Sequence, residues 1–213
     1  MDPFSFFAEF LLHLDQYIGL LIQAFGFWTY LVLFFVVFCE TGLVFAPFLP
    51  GDSLLFISGS MAAKGFLDAW LLFIIFTVAA ILGDTANYWI GNFFGKKIFR
   101  EKFLFLKKEH FDAAQRFYAR HGGKTIILAR FMPVIRTFAP FVAGIAKMNY
   151  ANFLGYNVIG AVVWVAIFVF GGYLFGNIPV VSENLSLIII AIIIVSILPA
   201  LFGFLRHYLK KKL

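Results

Sequence analysis

The sequence predicts an all-α integral membrane protein. Of its 213 residues, 62% are hydrophobic and only 13% are charged, whereas globular domains contain about 45–50% apolar and about 25% charged residues. Thirty-one Phe and four Trp are typical of lipid-facing helices and interfacial belts. In more detail, we predict an inverted repeat of an amphipathic helix, a re-entrant hairpin and a transmembrane helix, followed by a C-terminal transmembrane helix.

The first half of the chain supplies one set of these parts. Residues 1–26 are apolar with scattered charges, which predicts a helix that lies on the membrane or crosses it poorly. Residues 27–64 begin as an apolar run of spanning length and then break, which predicts a re-entrant hairpin. The residues that break the run are Pro47, Pro50 and Gly51. Residues 65–95 are long and apolar enough to predict a transmembrane helix.

The second half repeats this order. Residues 96–124 are basic, with apolar residues at helical spacing, which predicts a cytoplasmic amphipathic segment. Residues 125–147 predict a second re-entrant hairpin. Its breaking residues are Pro133 and Pro140. The remaining predicted segments are transmembrane helices at 148–178 and 183–205 and a short tail at 206–213.

Short sequence echoes support the repeat. "APFLPGD" at residue 46 resembles "APFVAG" at residue 139, and "YWIGNFFG" at residue 88 resembles "YLFGNI" at residue 173. The identity is low, but the parts also follow in the same order in each half. Inverted pairs of this kind build a transport site near the middle of the membrane in secondary transporters.

Basic residues are concentrated in two places. Nine of the 17 Lys and Arg lie between Lys96 and Lys124, against three acidic residues, and four more lie in the last eight residues. Cytoplasmic loops of membrane proteins carry such an excess. We therefore predict that residues 96–124 and the C-terminus are cytoplasmic. Beside membrane segments, these clusters indicate topology and contact with anionic lipid, and not nucleic-acid binding.

Six charged residues fall within the predicted membrane interior. They are Glu40, Asp52, Asp84, Arg130, Arg136 and Lys147. Charges at this depth are costly and usually face a protein interior or a water-filled cavity, and non-helical backbone there needs similar protection. Both requirements are met if the hairpin tips face each other. Glu40 and Asp52 would then meet Arg130 and Arg136 around a polar cavity.

Two interpretations of these charges are open. Buried Arg–carboxylate pairs can simply hold the hairpins together. However, an ion pair carries a desolvation cost that apolar packing avoids, and guanidinium offers phosphate a fixed fork of donors. Two arginines six positions apart therefore resemble an anion clamp. Glu40 and Asp52 could exchange protons, as a coupled carrier requires, and Asp84 and Lys147 are further candidates for the site.

The sequence does not favour an enzyme. A lipid phosphatase needs a nucleophile with its base or a set of metal ligands. The four His are scattered, Cys39 has no His near it in sequence, and no spacing such as H-x-x-x-H is present. We therefore expect no catalytic residue, no bound metal and no cofactor. A purely structural role would leave the six charges unexplained.

Three segments resemble the signatures of the DedA family, also called the VTT or SNARE-associated membrane domain. They are "ETGLVFAPFLPGDSLLFISG" (40–59), "GDTANYWIGNFFG" (83–95) and "ARFMPVIRTFAPFVAGIAKM" (129–148). They occur in the family's order, and the resemblance extends over roughly 27–178. It implies a bacterial inner-membrane protein with two opposed re-entrant hairpins and with relatives among eukaryotic lipid scramblases. The family's essential acids fall on Glu40 and Asp52, and its essential arginines fall on Arg130 and Arg136.

Together, the charges and the resemblance lead to one hypothesis with two alternatives. We expect a flippase that returns undecaprenyl phosphate to the cytoplasmic leaflet, with the headgroup on Arg130 and Arg136 and H+ or Na+ coupled through Glu40 and Asp52. One alternative is a flippase or scramblase of a phospholipid such as phosphatidylethanolamine, and the other is a membrane lipid phosphatase. The expected partners are the lipid substrate, the coupling ion and membrane lipids, but no nucleic acid. Formation of a homo-oligomer is left open.

Overall fold

The structure is a computed structural model of the chain, and it describes residues 14–43, 51–100, 122–179 and 191. All regular elements among these residues are helical, which confirms the predicted all-α class. The helices are α1 (Leu14–Phe25), α2 (Thr29–Gly42), α3 (Gly51–Ala63), α4 (Ala69–Arg100), α5 (Lys124–Ala129), α6 (Pro133–Ile145) and α7 (Tyr150–Phe175). The predicted segments at 183–205, apart from residue 191, and at 206–213 lie outside the described residues.

Three helical stretches in the described residues are long and apolar enough to cross a membrane. They are Gln16–Gly42, Ala69–Phe93 and Tyr150–Phe175. The second and third lie within the segments 65–95 and 148–178, where the sequence predicts transmembrane helices. A chain with several such helices is a membrane protein, as its composition predicts.

The N-terminal segments are joined more closely than the sequence suggests. A single 3-10 turn, Gly26–Trp28, separates α1 from α2, so that these two helices form one stretch of spanning length. Gly26 occupies the left-handed region at φ 51°, which glycine adopts without steric cost. The re-entrant course of residues 27–64 stays a prediction, because the expected breaks at Pro47 and Pro50 lie outside the described residues. Gly51 is the first residue of α3.

The second predicted hairpin consists of two short helices. α5 has 6 residues and α6 has 13, and neither reaches the roughly 20 residues that a span requires. Pro133 begins α6, where its missing N–H leaves no hydrogen bond unmade.

Pro140 does not break the helix, contrary to the prediction, but lies buried inside α6. Its ring nitrogen cannot donate to the carbonyl of Arg136. The helix therefore continues with one backbone hydrogen bond fewer, and close packing against α4 keeps it in place.

α6 ends in a Schellman motif around Lys147. The Met148 N–H donates to the Ala143 carbonyl, and the Lys147 N–H donates to the Gly144 carbonyl, both at 3.1 Å. Lys147 has φ 54°, which is the left-handed conformation that this motif requires and that glycine usually supplies. The Lys147 side chain is exposed, so it is not one of the buried charges.

The described helices group into two compact units. The first unit contains residues 14–35, 51–76 and 165–179, together with residue 191, and the second contains residues 36–43, 77–100 and 122–164. α2, α4 and α7 each contribute residues to both units.

In the first unit, α3 packs against the C-terminal part of α7. Two glycines show how closely the backbones approach. A Cβ added to Gly59 would lie 2.1 Å from the Val169 carbonyl oxygen, and one added to Gly172 would lie 2.0 Å from the Phe56 carbonyl oxygen. Real Cβ atoms do not approach so closely, so both positions require glycine. α3 is buried almost throughout.

In the second unit, α6 packs against the C-terminal part of α4 in the same way. A Cβ on Gly144 would lie 2.0 Å from the Tyr88 carbonyl oxygen, and one on Gly91 would lie 2.1 Å from the Phe141 carbonyl oxygen. Tyr88 also stacks on Phe153 of α7 with ring centroids 4.6 Å apart. This packing fixes the backbone of α6, on which one of the predicted arginines lies.

Candidate anion-binding site

The site in the second unit begins where α2 and α4 cross. A Cβ on Gly83 would lie 1.9 Å from Thr41 Oγ1, and a Cβ on Gly42 would lie 3.3 Å from the Gly83 Cα. A Cβ on Gly83 would also lie 2.8 Å from the Phe38 carbonyl oxygen, so the close approach of the two backbones requires glycine at position 83. Glu40 precedes Thr41 and Asp84 follows Gly83, so one carboxylate from each helix lies next to the crossing.

Arg136 lies in the first turn of α6 and donates from Nη2 to Glu40 Oε1. The Glu40 side chain is fully buried and the Arg136 side chain is 6% exposed. A buried guanidinium paired with a buried carboxylate is stable only when the geometry is good. The ion pair also joins the first arm of the first predicted hairpin to the second predicted hairpin.

Arg130 lies at the end of α5, in the turn that Pro133 forces before α6. Its Nη2 donates to Asp84 Oδ2 and to Asn157 Oδ1, the latter at 2.6 Å. Asn157 in turn donates from Nδ2 to the Ile81 carbonyl at 3.1 Å. Arg130 is therefore held from two helices, by a carboxylate on α4 and by an amide on α7.

Asn87 fastens three elements of the second unit together. Its Nδ2 donates to the Thr41 carbonyl at 3.2 Å and to the Thr137 carbonyl at 2.7 Å. Asn87 lies on α4, Thr41 near the end of α2 and Thr137 directly after Arg136 on α6. This amide holds the backbones beside Glu40 and Arg136 in place.

A tryptophan lies against both arginines. Trp164 of α7 is completely buried, and its ring centroid is 5.7 Å from Cζ of Arg130 and 5.2 Å from Cζ of Arg136. Both distances fall within the range of about 6 Å for cation–π attraction. One aromatic ring therefore makes a cation–π contact with each of the two guanidinium groups.

A small cavity lies among these groups. Its lining residues are Thr41, Asp84, Ile126, Arg130, Arg136, Pro140 and Trp164. The two guanidinium and two carboxylate groups of the cluster sum to zero charge. Arg130 Nε has no hydrogen-bond partner among the described residues. The N–H at this atom of the buried guanidinium is therefore available to donate to a ligand.

Comparisons with known proteins identify the family of the chain. The VTT domain matches residues 49–174. The chain is 49% identical to Protein DedA of Escherichia coli K12 over 210 residues, covering 97% of this chain and 96% of that protein. The chain belongs to the DedA family. It is accordingly a multi-pass protein of the inner membrane.

Two further relatives of this DedA-family chain cover most of its length. Inner membrane protein YqjA of Escherichia coli K12 is 32% identical over 175 residues, or 82% of this chain and 80% of that protein. An uncharacterized membrane protein of Mycobacterium leprae is 43% identical over 174 residues, or 81% of this chain and 78% of that protein. No solved structure matches the chain.

The family's essential acids and arginines fall on four residues of this sequence, and the structure brings three of them together. Glu40, Arg130 and Arg136 lie in one cluster of the second unit, as predicted. The acid that pairs with Arg130 is Asp84, which the sequence indicates only as an additional candidate. Asp52 is buried in the first turn of α3 and belongs to the first unit.

Sequence reasoning did not find the neutral members of the site. Asn157, Asn87 and Trp164 are all completely buried. A buried amide in an apolar helix is a signal of interhelical hydrogen bonding, but it does not reveal the partner. Nothing in the sequence places the ring of Trp164 against an arginine. Among the described residues, no three His, Cys, Asp or Glu side chains are grouped so that they could hold a metal ion.

Proposed function

We propose that this DedA-family protein is a flippase that moves a phosphate-bearing lipid between the leaflets of the inner membrane. The substrate we favour is undecaprenyl phosphate, returned to the cytoplasmic leaflet at the expense of the proton or sodium gradient. Arg130 and Arg136 bind the headgroup phosphate, while the prenyl chain stays among the lipid acyl chains. Glu40 and Asp52 are coupling residues, and Asp84 is a third, because its carboxylate pairs with Arg130 as that of Glu40 pairs with Arg136.

One observation carries the proposal: two buried guanidinium groups line the same cavity, and Arg130 Nε faces no acceptor among the described residues. Arginine stays charged at any physiological pH. Planar donors in a fixed fork suit a phosphate, which can accept hydrogen bonds from both side chains. Stabilisation of the fold alone does not call for an unused donor on a buried cation.

Charge balance supplies the link to a coupling ion. The four charged groups of the cluster sum to zero when the site is empty. A phosphate that enters must displace carboxylates from the arginines, which leaves excess negative charge in a poorly solvated site. Uptake of a proton by Glu40 or Asp84, or of a cation beside them, restores the balance. Release of that ion on the other side of the membrane lets the carboxylates recapture the arginines and expel the lipid.

The proposal includes an orientation. The basic segment 96–124 and the C-terminal tail face the cytoplasm, as the excess of Lys and Arg predicts. Cysteines introduced at Lys108 and Lys211, in a Cys39→Ser background, should resist an impermeant maleimide in intact cells and react once the cells are opened. Labelling of either position in intact cells would contradict this orientation.

The test of transport uses purified full-length protein in liposomes that contain undecaprenyl phosphate. Arg136→Ala should lower the transport rate by at least about 100-fold, because the loss of a charge-assisted bidentate contact removes on the order of 3 kcal/mol. Arg136→Lys keeps the charge but not the fork and should be intermediate. Lys124→Ala, which removes an exposed cation of the second unit, is the matched control and should transport normally. A normal rate for Arg136→Ala would overturn the proposal.

The same liposomes separate the alternatives. A coupled flippase slows when an ionophore collapses the gradient, whereas a scramblase is unaffected. Preference for phosphatidylethanolamine over undecaprenyl phosphate would favour the phospholipid carrier. Release of inorganic phosphate from the lipid by the purified protein would instead identify a phosphatase, and the expectation that the protein is not an enzyme would then be wrong.

A further inference from the structure

Trp164 stands out as the aromatic residue at the centre of the cluster. It is the largest of the completely buried side chains in the described residues, and its ring contacts both guanidinium groups. We propose that Trp164 is a positioning residue of the phosphate site, which holds Arg130 and Arg136 at a fixed spacing by cation–π attraction. This inference rests on the proposed function. It adds that phosphate binding depends on the electron density of the Trp164 ring.

The face of α7 that carries Trp164 is shaped around Arg130. Asn157, Gly160 and Trp164 are separated by three and four positions and so lie on one face of the helix. Asn157 accepts the hydrogen bond from Arg130 Nη2 at 2.6 Å. A Cβ on Gly160 would lie 3.4 Å from Arg130 Nε, so glycine leaves room for the guanidinium to lie along the helix. The amide, the glycine and the ring contact the same side chain.

The ring is needed most when the carboxylates leave. In the described structure, Glu40 and Asp84 neutralise the two arginines, but a bound phosphate or a coupling proton breaks those ion pairs. Two guanidinium groups against one ring then repel each other. An indole face attracts both cations without carrying a charge that competes for the phosphate. It can therefore keep both arginines in place through the whole cycle, which no carboxylate of the site can do.

Packing alone is the alternative explanation, because any large apolar residue could fill the same space. The two explanations differ in one property. Packing depends on the volume of the side chain, whereas cation–π attraction depends on the electron density of the ring face. Fluorine atoms added to the indole withdraw electron density while they change its volume little.

The experiment places tryptophan and its mono-, di- and trifluorinated forms at position 164 by nonsense suppression in the full-length protein. Farnesyl phosphate, a short prenyl phosphate, is the probe, and its Kd is measured in lipid nanodiscs. We expect log Kd to rise steadily with the number of fluorine atoms, to a total of roughly 10-fold or more, at an unchanged thermal transition. The same series at Trp70, an exposed tryptophan of the first unit that packs edge-on against Phe170, should leave Kd constant.

Two side-chain replacements extend the series. Trp164→Phe keeps a weaker π face and should retain part of the affinity, whereas Trp164→Leu should weaken farnesyl phosphate binding further than Trp164→Phe. Equal affinity for the Phe and Leu variants, or a flat fluorination series, would overturn the assignment of Trp164. If Arg136→Ala still abolishes binding in that case, the proposed phosphate site stands without the tryptophan. If Arg136→Ala and Arg130→Ala both bind normally, the proposed function fails together with this inference.

Discussion

The two units of the molecule share a packing arrangement but bury different polar groups beside it. In each unit a short helix carries Phe-x-x-Gly and packs against a long helix through a reciprocal pair of glycines. The pairs are Gly59 with Gly172 in the first unit and Gly144 with Gly91 in the second. In all four cases an added Cβ would lie 2.0 or 2.1 Å from a backbone oxygen of the other helix.

The partners are exchanged between the two halves of the sequence. α3 comes from the first half and packs against α7 from the second, whereas α6 comes from the second half and packs against α4 from the first. Each predicted repeat therefore contributes its short helix to one unit, and its long helix contributes to the other unit the glycine that packs against the short helix there. This exchange explains why the chain is divided into units that are not continuous in sequence.

The buried polar groups differ sharply. The second unit buries two arginines, each paired with a carboxylate, and two amides, of which one accepts a hydrogen bond from Arg130 and the other donates to backbone carbonyls. α3 of the first unit buries Asp52 together with Ser53, Ser58 and Ser60. Backbone packing is thus common to both units, whereas the paired arginines belong to the second. The glycines therefore specify the packing arrangement that the two units share. The paired charges are not needed for that arrangement, so their role lies outside the packing of the helices.

Removal of one charge from the second unit should have the largest effect on stability. Asp84→Asn preserves the shape of the side chain but leaves the buried guanidinium of Arg130 without its carboxylate. We expect the free energy of unfolding to fall by about 3–5 kcal/mol. It can be measured by titration with SDS in mixed micelles.

The double variant Asp84→Asn/Arg130→Gln provides the control for this prediction. It removes both charges, so it should recover most of the loss, because no unpaired ion is left buried. Equal losses in the single and double variants would show that the pair acts through its shape and not through its charge. The contrast between the two units would then lose its electrostatic basis.

The glycine pairs should give a smaller effect that is similar in the two units. Gly172→Ala and Gly91→Ala place a methyl group against a backbone oxygen, and we expect each to lower the free energy of unfolding by about 1–3 kcal/mol. Gly171→Ala and Gly155→Ala are matched controls, since nothing lies within 4 Å of the added Cβ. They should be neutral or stabilising by up to about 1 kcal/mol, because alanine favours the helix.

A large loss in one unit and none in the other would break the structural equivalence. Binding of farnesyl phosphate provides a second measurement. If the glycines serve only the architecture, the variants that still fold should bind farnesyl phosphate with the affinity of the wild type. Loss of binding at full stability would place the glycine contacts in the transport site itself.

Much of this comparison could be predicted from the sequence, and the reasons are physical. Charges in apolar segments are rare and costly, so Glu40, Arg130 and Arg136 could be identified as buried and paired before the structure. The order of the parts indicated a repeat. The Arg130 partner was harder to predict, because Asp52 and Asp84 are both acids in apolar segments and only the fold decides which lies near.

The register of the repeat and the role of proline could not be read correctly. The echo between "APFLPGD" and "APFVAG" aligns Pro47 with Pro140, whereas the glycine contacts make Phe56 equivalent to Phe141. Backbone contact selects for glycine at fixed positions, while a shared tripeptide can arise by chance. Pro140 was expected to break a helix because it lacks an N–H, but tertiary packing of α6 outweighed that loss. The sequence did not indicate that Trp164 contacts the arginines, since apolar helices also contain tryptophan for packing and at membrane interfaces.

The smallest expected effect comes from the hydroxyl groups of the two units. Thr41 in the second unit donates to the Val37 carbonyl at 3.0 Å, whereas Ser58 Oγ in the first unit has no hydrogen-bond partner among the described residues. Thr41→Val should lower the free energy of unfolding by about 0.5–1.5 kcal/mol. Ser58→Ala removes a buried hydroxyl that gains nothing from its position, so stability should stay constant or rise by up to about 1 kcal/mol.

The Ser58 result bears directly on the comparison of the units. A buried hydroxyl without a partner is tolerated at a cost, and such a group needs a reason to persist. If Ser58→Ala is neutral in both stability and transport, the Ser58 hydroxyl has no part in transport, and Asp52 remains the proposed functional group of α3. If the variant is stable but transports poorly, the hydroxyl takes part in the cycle, and the polar face of the first unit would be functional as well. Measured side by side with Thr41→Val, the variant therefore decides whether the Ser58 hydroxyl of the first unit takes part in transport.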